Sequence, residues 1–163
     1  GLLDETLASW ERERPDLDLR AMATMLRANQ LMTAALRAIE AVFAPHGITL
    51  GEFDVLAALR RGGEGTALSP TALARVAMIS PAGMTNRLDR LEAAGLIERR
   101  PDPADRRGTL VQLTNLGRTT ADRAVEELVT AETALFADLS PAEHRRLDAT
   151  LDKLIDRLDD ERP

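Results

Sequence analysis

The segment Ser80–Leu113, SPAGMTNRLDRLEAAGLIERRPDPADRRGTLVQL, decides the fold of this chain. It begins with a predicted helix, because Ser80 is a good N-cap residue and Pro81 suits the first helical position. Apolar residues then recur at helical spacing and predict one buried face, made of Met84, Leu88 and Leu91. Gly95 follows at the point where a left-handed turn would end the helix.

The opposite face of this helix is small and polar, and its first turn contains Gly83. A glycine there costs about 1 kcal/mol of helix stability relative to alanine, so a close approach by another molecule would explain it. Duplex DNA is the natural candidate, since a recognition helix contacts base edges through its N-terminal residues. The helix alone is equally compatible with an ordinary solvated face.

Two short β-type runs follow the helix, Ile97–Pro101 and Thr109–Leu113, and the basic turn DPADRRG joins them. The adjacent Arg106 and Arg107 are unsuited to a core but well placed to contact phosphates or enter a narrow minor groove. A helix, a glycine stop and a basic hairpin together predict a winged helix-turn-helix.

The segment from about Leu50 to Arg118 resembles the MarR family of bacterial transcription regulators. The resemblance rests on LSPTALARVAMISPAGMTNRLDRLEAAGLIERRPDPADRRGTLVQLTNLGR, which includes the Asp-Arg-Arg of the wing. It implies a mainly α fold with a small β-hairpin wing, in which a winged helix-turn-helix is joined to a helical dimerisation region. It also implies a homodimer that binds a palindromic operator in double-stranded DNA.

Composition limits the classes of protein to which the chain can belong. Its 163 residues are 44% hydrophobic but only 2% aromatic, which suits an aliphatic core built from helices. It has no cysteine, which excludes disulfides, Cys-based zinc sites and thiol redox sensing. No apolar run approaches the ~18 residues of a membrane span and no signal peptide is visible, so we expect a cytoplasmic protein with no membrane partner.

The net charge of −6 is unevenly distributed along the chain. Residues 60–118 contain ten Arg against six Asp and Glu, so this part carries +4 and the remainder carries −10. A positive field confined to one lobe is what contact with phosphates requires.

Helical periodicity divides the chain into three parts of one integrated protomer. Residues 1–48 contain an N-terminal helix and a dimerisation helix, residues 49–114 the DNA-binding lobe, and residues 115–163 the C-terminal dimerisation helices. The predicted helices outside the recognition helix are Leu2–Arg14, Leu17–Ala44, Leu50–Arg60, Pro70–Ala77, Asn115–Asp138 and Ala142–Asp160. The long ones carry more apolar surface than one small lobe covers, which favours association with a second copy.

We expect the polar surface of the lobe to contact DNA. Arg107 would enter the minor groove, Arg106 would contact phosphate, and Asp105 would brace the wing. The recognition helix would meet the major groove, and the helix before it would meet the phosphate backbone. The candidate residues on these two helices are Ser69, Thr71, Ser80, Ala82, Gly83, Thr85, Asn86 and Arg90.

Three charged residues occupy unexpected positions. Asp54 and Arg87 lie among apolar neighbours, and Arg99 begins the first wing strand directly after Glu98 and points to the opposite side. A carboxylate buried without a partner would cost several kcal/mol or have a raised pKa, so Asp54 needs a cation or solvent nearby. One interpretation is that the two arginines pair with Asp54 or Glu98, or contact phosphates.

A second interpretation comes from a MarR subgroup that responds to urate and has an added N-terminal helix, which this chain resembles. The resemblance implies a ligand site formed by Trp10, Asp54, Arg87 and Arg99. Two guanidinium groups can bind a planar anion bidentately, and the charge of that anion would repel Asp54. The implied protein is a repressor released by a small planar anion, such as urate or a phenolic acid.

Other functions stay open at different levels. Within the family, the effector could be another aromatic acid or an antibiotic; outside it, the chain could be a ligand-independent DNA-binding or adaptor protein. Catalysis is not expected, because the sequence has no nucleophile motif, metal cluster or glycine-rich phosphate loop. Its two histidines, His46 and His144, lie in a PHG turn and in an exposed helix. We therefore expect no enzyme activity, no cofactor and no metal.

Overall fold

The computed structural model describes residues 1–77 and 79–160, without the side chains of Pro81 and Arg106. Its helices are α1 (Leu2–Glu13), α2 (Arg20–Phe43), α3 (Leu50–Arg61), α4 (Pro70–Val76), α5 (Pro81–Ala93), α6 (Asn115–Leu135) and α7 (Pro141–Asp160). Its strands are β1 (Ala67–Leu68), β2 (Ile97–Asp102) and β3 (Asp105–Leu113). A 3-10 turn, Ala44–His46, connects α2 to α3. The predicted mainly α fold with a β-hairpin wing is confirmed.

The three strands form one antiparallel sheet in the order β1-β3-β2. The hairpin runs from the pair Ile97–Leu113 to the pair Asp102–Asp105 at its tip. The sequence did not indicate β1, since two residues are too few to show an alternating pattern. The prediction for β3 was also too short: the strand begins at Asp105, so both wing arginines lie within it rather than in the turn.

The core of the lobe lies between α3, α4, α5 and the sheet. Its most deeply buried side chains are Val55, Leu56, Leu59, Leu73, Leu88, Leu91, Ile97 and Val111. At the corner between α2 and the lobe, Phe43 stacks on Phe53 with ring centroids 4.6 Å apart. The predicted inner face of α5 is confirmed, because Met84, Leu88 and Leu91 are all buried.

Local hydrogen bonds move two helix ends away from their predicted positions. The helix expected over Leu17–Ala44 begins only at Arg20, because a side-chain oxygen of Asp18 accepts the backbone N–H of Arg20 at 3.1 Å. Such a local acceptor competes with helical hydrogen bonding by the preceding residues. The helix expected to reach Asp138 ends at Leu135, and Phe136 caps it.

The end of the recognition helix is joined closely to the start of α6. Gly95 ends α5 in a left-handed conformation with φ of +72°, as predicted. The Thr114 hydroxyl donates to the Gly95 carbonyl at 2.7 Å and accepts the Gly117 N–H at 2.9 Å. A Cβ at Gly117 would overlap the carbonyl group of Leu96, so this contact requires glycine.

The long helices leave apolar surface uncovered in the protomer. No residue of α7 is buried, and the leucines and isoleucine of its second half are about half exposed or more. Large exposed apolar side chains on α2 and α7 are Met25, Leu31, Met32, Leu151, Leu154, Ile155 and Leu158.

A membrane-spanning helix must satisfy criteria of length and hydropathy. No single helix among residues 1–77 and 79–160 is long and apolar enough to cross a bilayer. Within the same residues, only the segment Arg20–His46 taken together with Leu50–Arg61 satisfies these criteria, and that pair is bent by 73°.

Candidate nucleic-acid interface

The outer face of α5 presents a row of small and polar residues. Ser80 has extended backbone and occupies the N-cap position without a side-chain hydrogen bond to the helix, and the exposed residues after it are Ala82, Thr85, Asn86 and Arg90. Because the buried residues of α5 hold its opposite face, this row is fixed in orientation by the core. It has the dimensions and chemistry of a helix that can lie in a major groove.

The helix before it, α4, begins with a polar pair on the same lobe. The Ser69 hydroxyl accepts the N–H of Ala72 at 3.2 Å and so caps α4. Thr71 is exposed in the first turn. Hydroxyls and backbone N–H groups at a helix N-terminus are suited to contact a phosphate.

Gly83 has a different structural reason from the one that the sequence indicated. The space beside its Cα is occupied by the guanidinium group of Arg87, one turn further along the same helix. A Cβ at Gly51 on α3 would likewise lie 2.6 Å from Arg87 Nε. The guanidinium therefore lies between two glycines, and the absence of a side chain at Gly83 is explained within the chain itself.

Asp54 lies near this guanidinium but does not hold it in an ion pair. Burial raises the pKa of Asp54, and the positive charges of Arg61 and Arg87 act in the opposite direction. Within the part of the chain that the structure describes, no side chain donates a hydrogen bond to Asp54, and Arg87 has no ion pair. The site thus contains a half-buried carboxylate and a cation whose hydrogen-bonding capacity is largely unused.

Arg99 at the start of the wing has carboxylate partners that the sequence did not indicate. Its Nε and Nη2 donate to Glu92 at 3.0 and 2.7 Å, and its Nη2 donates to Asp89 at 2.6 Å. This hydrogen bonding holds the pKa of Glu92 below its ordinary value. The pairing expected with Asp54 or Glu98 is wrong for Arg99, since Glu98 instead accepts from Gln112.

Trp10 lies on α1, which packs against α2. Its side chain is 44% exposed, and among the described residues no hydrogen bond or ion pair links it to the other three candidate ligand residues. Within one protomer, Asp54 and Arg87 therefore lie near each other. Arg99 is instead paired with Glu92 and Asp89 of α5. Trp10 is joined to none of the three by a hydrogen bond or ion pair among the described residues.

The wing is stiffened by two aspartates near its tip. Asp102 accepts the N–H of Ala104 at 2.8 Å, and Asp105 accepts the N–H of Arg107 at 3.0 Å. Arg107 is exposed, and the side chain of Arg106 lies outside the part that the structure describes. Asp105 is thus in contact with the backbone of the residue expected to enter the minor groove.

Glu52 is a member of the site that sequence reasoning assigned only to helix capping. It completes the predicted capping box with Thr49, and it is also 2.9 Å from Arg90 Nε. It is the one buried charged residue among those that the structure describes. The first role is visible as a Thr-x-x-Glu pattern, whereas the second joins distant segments and leaves no pattern in the sequence.

Residues Thr49 and Glu52 form one wall of a cleft of about 300 Å³ between α3 and α5, and Ala82, Gly83, Asn86, Arg87 and Arg90 form the other. No three metal-binding side chains cluster within the described ranges. The guanidinium groups of Arg87 and Arg90 and the amide of Asn86 can donate to an anion, and the carboxylate of Glu52 in the same cleft is paired with Arg90.

Comparisons with known proteins agree with this geometry. Residues 46–108 match the MarR family. The chain is 36% identical over 152 residues to the HTH-type transcriptional regulator PecS of Dickeya dadantii, a match that covers 93% of this chain and 92% of PecS.

Solved structures give the same result. A mutant MarR from E. coli complexed with operator DNA superposes with a TM-score of 0.67 at 26% identity, over 89% of this chain and 96% of that one. BpsR of Bordetella bronchiseptica, whose DNA binding is regulated by 6-hydroxynicotinic acid, superposes with a TM-score of 0.70 at 28% identity, over 86% and 96%.

PecS is a transcriptional regulator, and the similarity to it extends over nearly the whole chain rather than the winged lobe alone. The expectation that the chain is a regulator and not an enzyme is confirmed by its family. The chain belongs to the MarR family of transcriptional regulators.

Proposed function

We propose that this chain is a ligand-responsive repressor that binds a palindromic operator in duplex DNA as a homodimer. The observation that carries the proposal is the combination of an exposed polar face on α5 with a braced, arginine-bearing wing on the same lobe. Operator DNA bound to the related E. coli MarR supports it. The positive charge of residues 60–118 provides the attraction to phosphates.

In the proposed complex, the two wing arginines and the outer face of α5 contact different parts of the DNA. Arg107 enters the minor groove and Arg106 contacts phosphate, while Asp105 holds the backbone between them. The major-groove contacts come from Ser80, Ala82, Gly83, Thr85, Asn86 and Arg90. Ser69 and Thr71 contact the phosphate backbone from α4.

The homodimer forms through the apolar faces that the protomer leaves exposed on α2, α6 and α7. Surface of this extent drives association in water. Two-fold symmetry then separates the two recognition helices by about 34–36 Å, one turn of DNA, which makes the operator palindromic.

The effector is a small planar anion such as urate. Arg87 supports this, because its guanidinium lies in a cleft without an ionic partner among the described residues. In the proposed site, Arg87 and Arg99 bind the anion, Trp10 stacks on it or donates to it, and Asp54 is repelled by its charge. Since Arg87 is on α5, its movement shifts the DNA contacts.

A second effector class has an observation in its favour. The related BpsR responds to 6-hydroxynicotinic acid, which is also a planar aromatic anion. An aromatic acid would use the same guanidinium groups, so the two effector classes differ in the ligand and not in the mechanism.

The affinity of the protein for DNA from upstream of its own gene tests the proposed operator binding. Arg106→Ala and Arg107→Ala should each weaken binding, and loss of a phosphate contact should reduce the salt slope by about 1. Arg145→Ala on α7 is the control, because that arginine lies outside the lobe. Unchanged affinity in both wing variants would contradict the proposal.

Titration of the protein–DNA complex with urate, xanthine, salicylate and 6-hydroxynicotinic acid tests the effector. A ligand that releases DNA from the wild-type protein should fail to release it from Arg87→Ala. If none of the four releases DNA and Arg87→Ala behaves as the wild type, the proposed ligand site is wrong.

A further inference from the structure

An ion pair between Glu52 and Arg90 connects the buried side of α3 to the exposed face of α5. The carboxylate of Glu52 is 4% exposed, whereas the side chain of Arg90 is 60% exposed, and Glu52 Oε1 lies 2.9 Å from Arg90 Nε. A buried acid therefore lies at ion-pair distance from an arginine whose side chain is largely exposed. Arg90 is also one of the residues expected to contact DNA.

Both oxygens of the Glu52 carboxylate have defined partners. Oε2 accepts the backbone N–H of Thr49 at 2.8 Å, which is the helix-capping contact. Oε1 is left to pair with Arg90. Capping alone accounts for Oε2 and does not require the second oxygen to face α5, so the contact with Arg90 is a separate feature.

The geometry of arginine determines what this contact leaves available. A guanidinium group has five N–H donors in a fixed plane, of which Nε carries one. The closest approach to Glu52 is at Nε and is an ion pair rather than a directed N–H hydrogen bond, so the edge formed by Nη1 and Nη2 is available to another acceptor. That edge matches a phosphate or the O6 and N7 acceptors of guanine.

We propose that Glu52 is a positioning residue for DNA binding, which restrains Arg90 through the ion pair at Nε and leaves its terminal amino groups free to contact the duplex. The inference rests on the proposed function of the lobe, and it adds a residue that does not itself touch DNA. Ordering Arg90 before the encounter reduces the side-chain entropy lost on binding.

The substitution Glu52→Gln distinguishes positioning of Arg90 from a simple electrostatic effect, because the two predict opposite changes in operator affinity. Glutamine keeps one acceptor oxygen, which can still cap Thr49, but its amide then faces Arg90 with N–H donors. Removing a negative charge near DNA should by itself strengthen binding. Loss of positioning should instead weaken operator binding by about three- to tenfold.

A double-mutant cycle compares the wild type, Glu52→Gln, Arg90→Ala and the double variant. Fluorescence anisotropy measures the affinity of each protein for the operator. We expect Glu52→Gln to weaken binding in the wild-type background and not in the Arg90→Ala background. Glu143→Gln is the matched control, because Glu143 caps Ser140 on α7 in the same way and has no arginine partner among the described residues. It should bind as the wild type.

The inference is overturned if Glu52→Gln binds as tightly as or more tightly than the wild type, or if it weakens binding equally when Arg90 is absent. Equal weakening by Glu143→Gln would assign the effect to helix capping and would also overturn it. If Arg90→Ala has no effect while Arg107→Ala weakens binding, only this inference fails. If neither arginine matters, the proposed DNA interface fails with it.

Discussion

Arg99 and Glu92 are joined by three hydrogen bonds, from the backbone N–H, Nε and Nη2 of the arginine to the two oxygens of the glutamate. One residue begins the wing and the other lies in the last turns of the recognition helix. The two parts of the lobe that would contact different grooves are thus held at a fixed angle. The same arginine is a candidate ligand residue, so an anion that competes for it would also loosen this connection.

Glu92→Ala should weaken operator binding more than Asp89→Ala does. Glu92 accepts three of the four hydrogen bonds of Arg99, whereas Asp89 accepts one. For partly exposed ion pairs we expect a loss of about two- to fivefold at Glu92. Anisotropy titrations at fixed salt measure both variants, and equal affinities would show that the wing angle does not depend on this pair.

Gly51→Ala should impair the response to the effector while preserving the fold. A Cβ at this position would lie 2.6 Å from Arg87 Nε and displace the guanidinium, which is the end of a flexible side chain. Alanine is also the better helix former, by about 1 kcal/mol. We expect unchanged or higher thermal stability, together with a higher ligand concentration for half release of DNA.

The matched control for this substitution is Gly47→Ala. A Cβ at Gly47 would meet no atom within 4 Å, but the residue has a φ of +67°, so alanine there should lower stability without moving Arg87. If Gly51→Ala responds to ligand as the wild type does, Arg87 does not hold the effector.

Asp54→Asn should stabilise the protein at neutral pH and not in acid. Burial raises the pKa of Asp54, so folding disfavours its charged form. The resulting destabilisation is absent below the unfolded pKa of about 3.9 and complete once the pH exceeds the folded pKa. Thermal melts should therefore show a higher Tm for Asp54→Asn at pH 7, with the difference closing as the pH falls toward about 3.

Asp122→Asn is the control for this Tm measurement, because Asp122 has an ion-pair partner and Asp54 has none among the described residues. Asp122 is paired with Arg60 at 2.6 Å, so its neutralisation removes an ion pair and should not raise the Tm. A lower Tm for Asp54→Asn at pH 7 would mean that attraction to Arg61 and Arg87 outweighs the cost of burial.

Leu154→Glu should convert a dimer into a monomer. Leu154 is 52% exposed on α7, within a stripe that the protomer does not cover. A charge in the centre of an apolar interface would be buried without a partner and would cost several kcal/mol. Light scattering at micromolar concentration measures the change, and Val76→Glu on α4 is the control, because Val76 is also an exposed apolar residue but lies outside the proposed dimerisation helices. A wild-type protein that is already monomeric would contradict the proposed assembly.

Sequence reasoning predicted the elements whose signals are local. Ser80, Pro81 and Gly95 delimit α5, and the spacing of its apolar residues identifies the buried face. The cap formed by Thr49 and Glu52 was recognised for the same reason. Such signals lie within a few residues of each other, and the tertiary structure did not override them.

Contacts between residues that are far apart in the sequence could not be predicted from residue spacing. Many charged residues could have paired with Arg99, and spacing alone does not select Asp89 and Glu92. Gly83 was attributed to an external molecule because the sequence does not reveal which way Arg87 turns. β1 was missed because its only support is the neighbouring strand β3.

The contact between Gly117 and the Leu96 carbonyl has a mechanical consequence. Because no side chain separates the start of α6 from Leu96, just after the end of α5, the two helices are packed closely at this point. A tilt of α6 imposed at the far end of the molecule should therefore also move the outer face of α5, which we propose to contact DNA. In the proposed homodimer, a signal that changes the spacing of the two subunits would thereby affect the contacts with both halves of the operator.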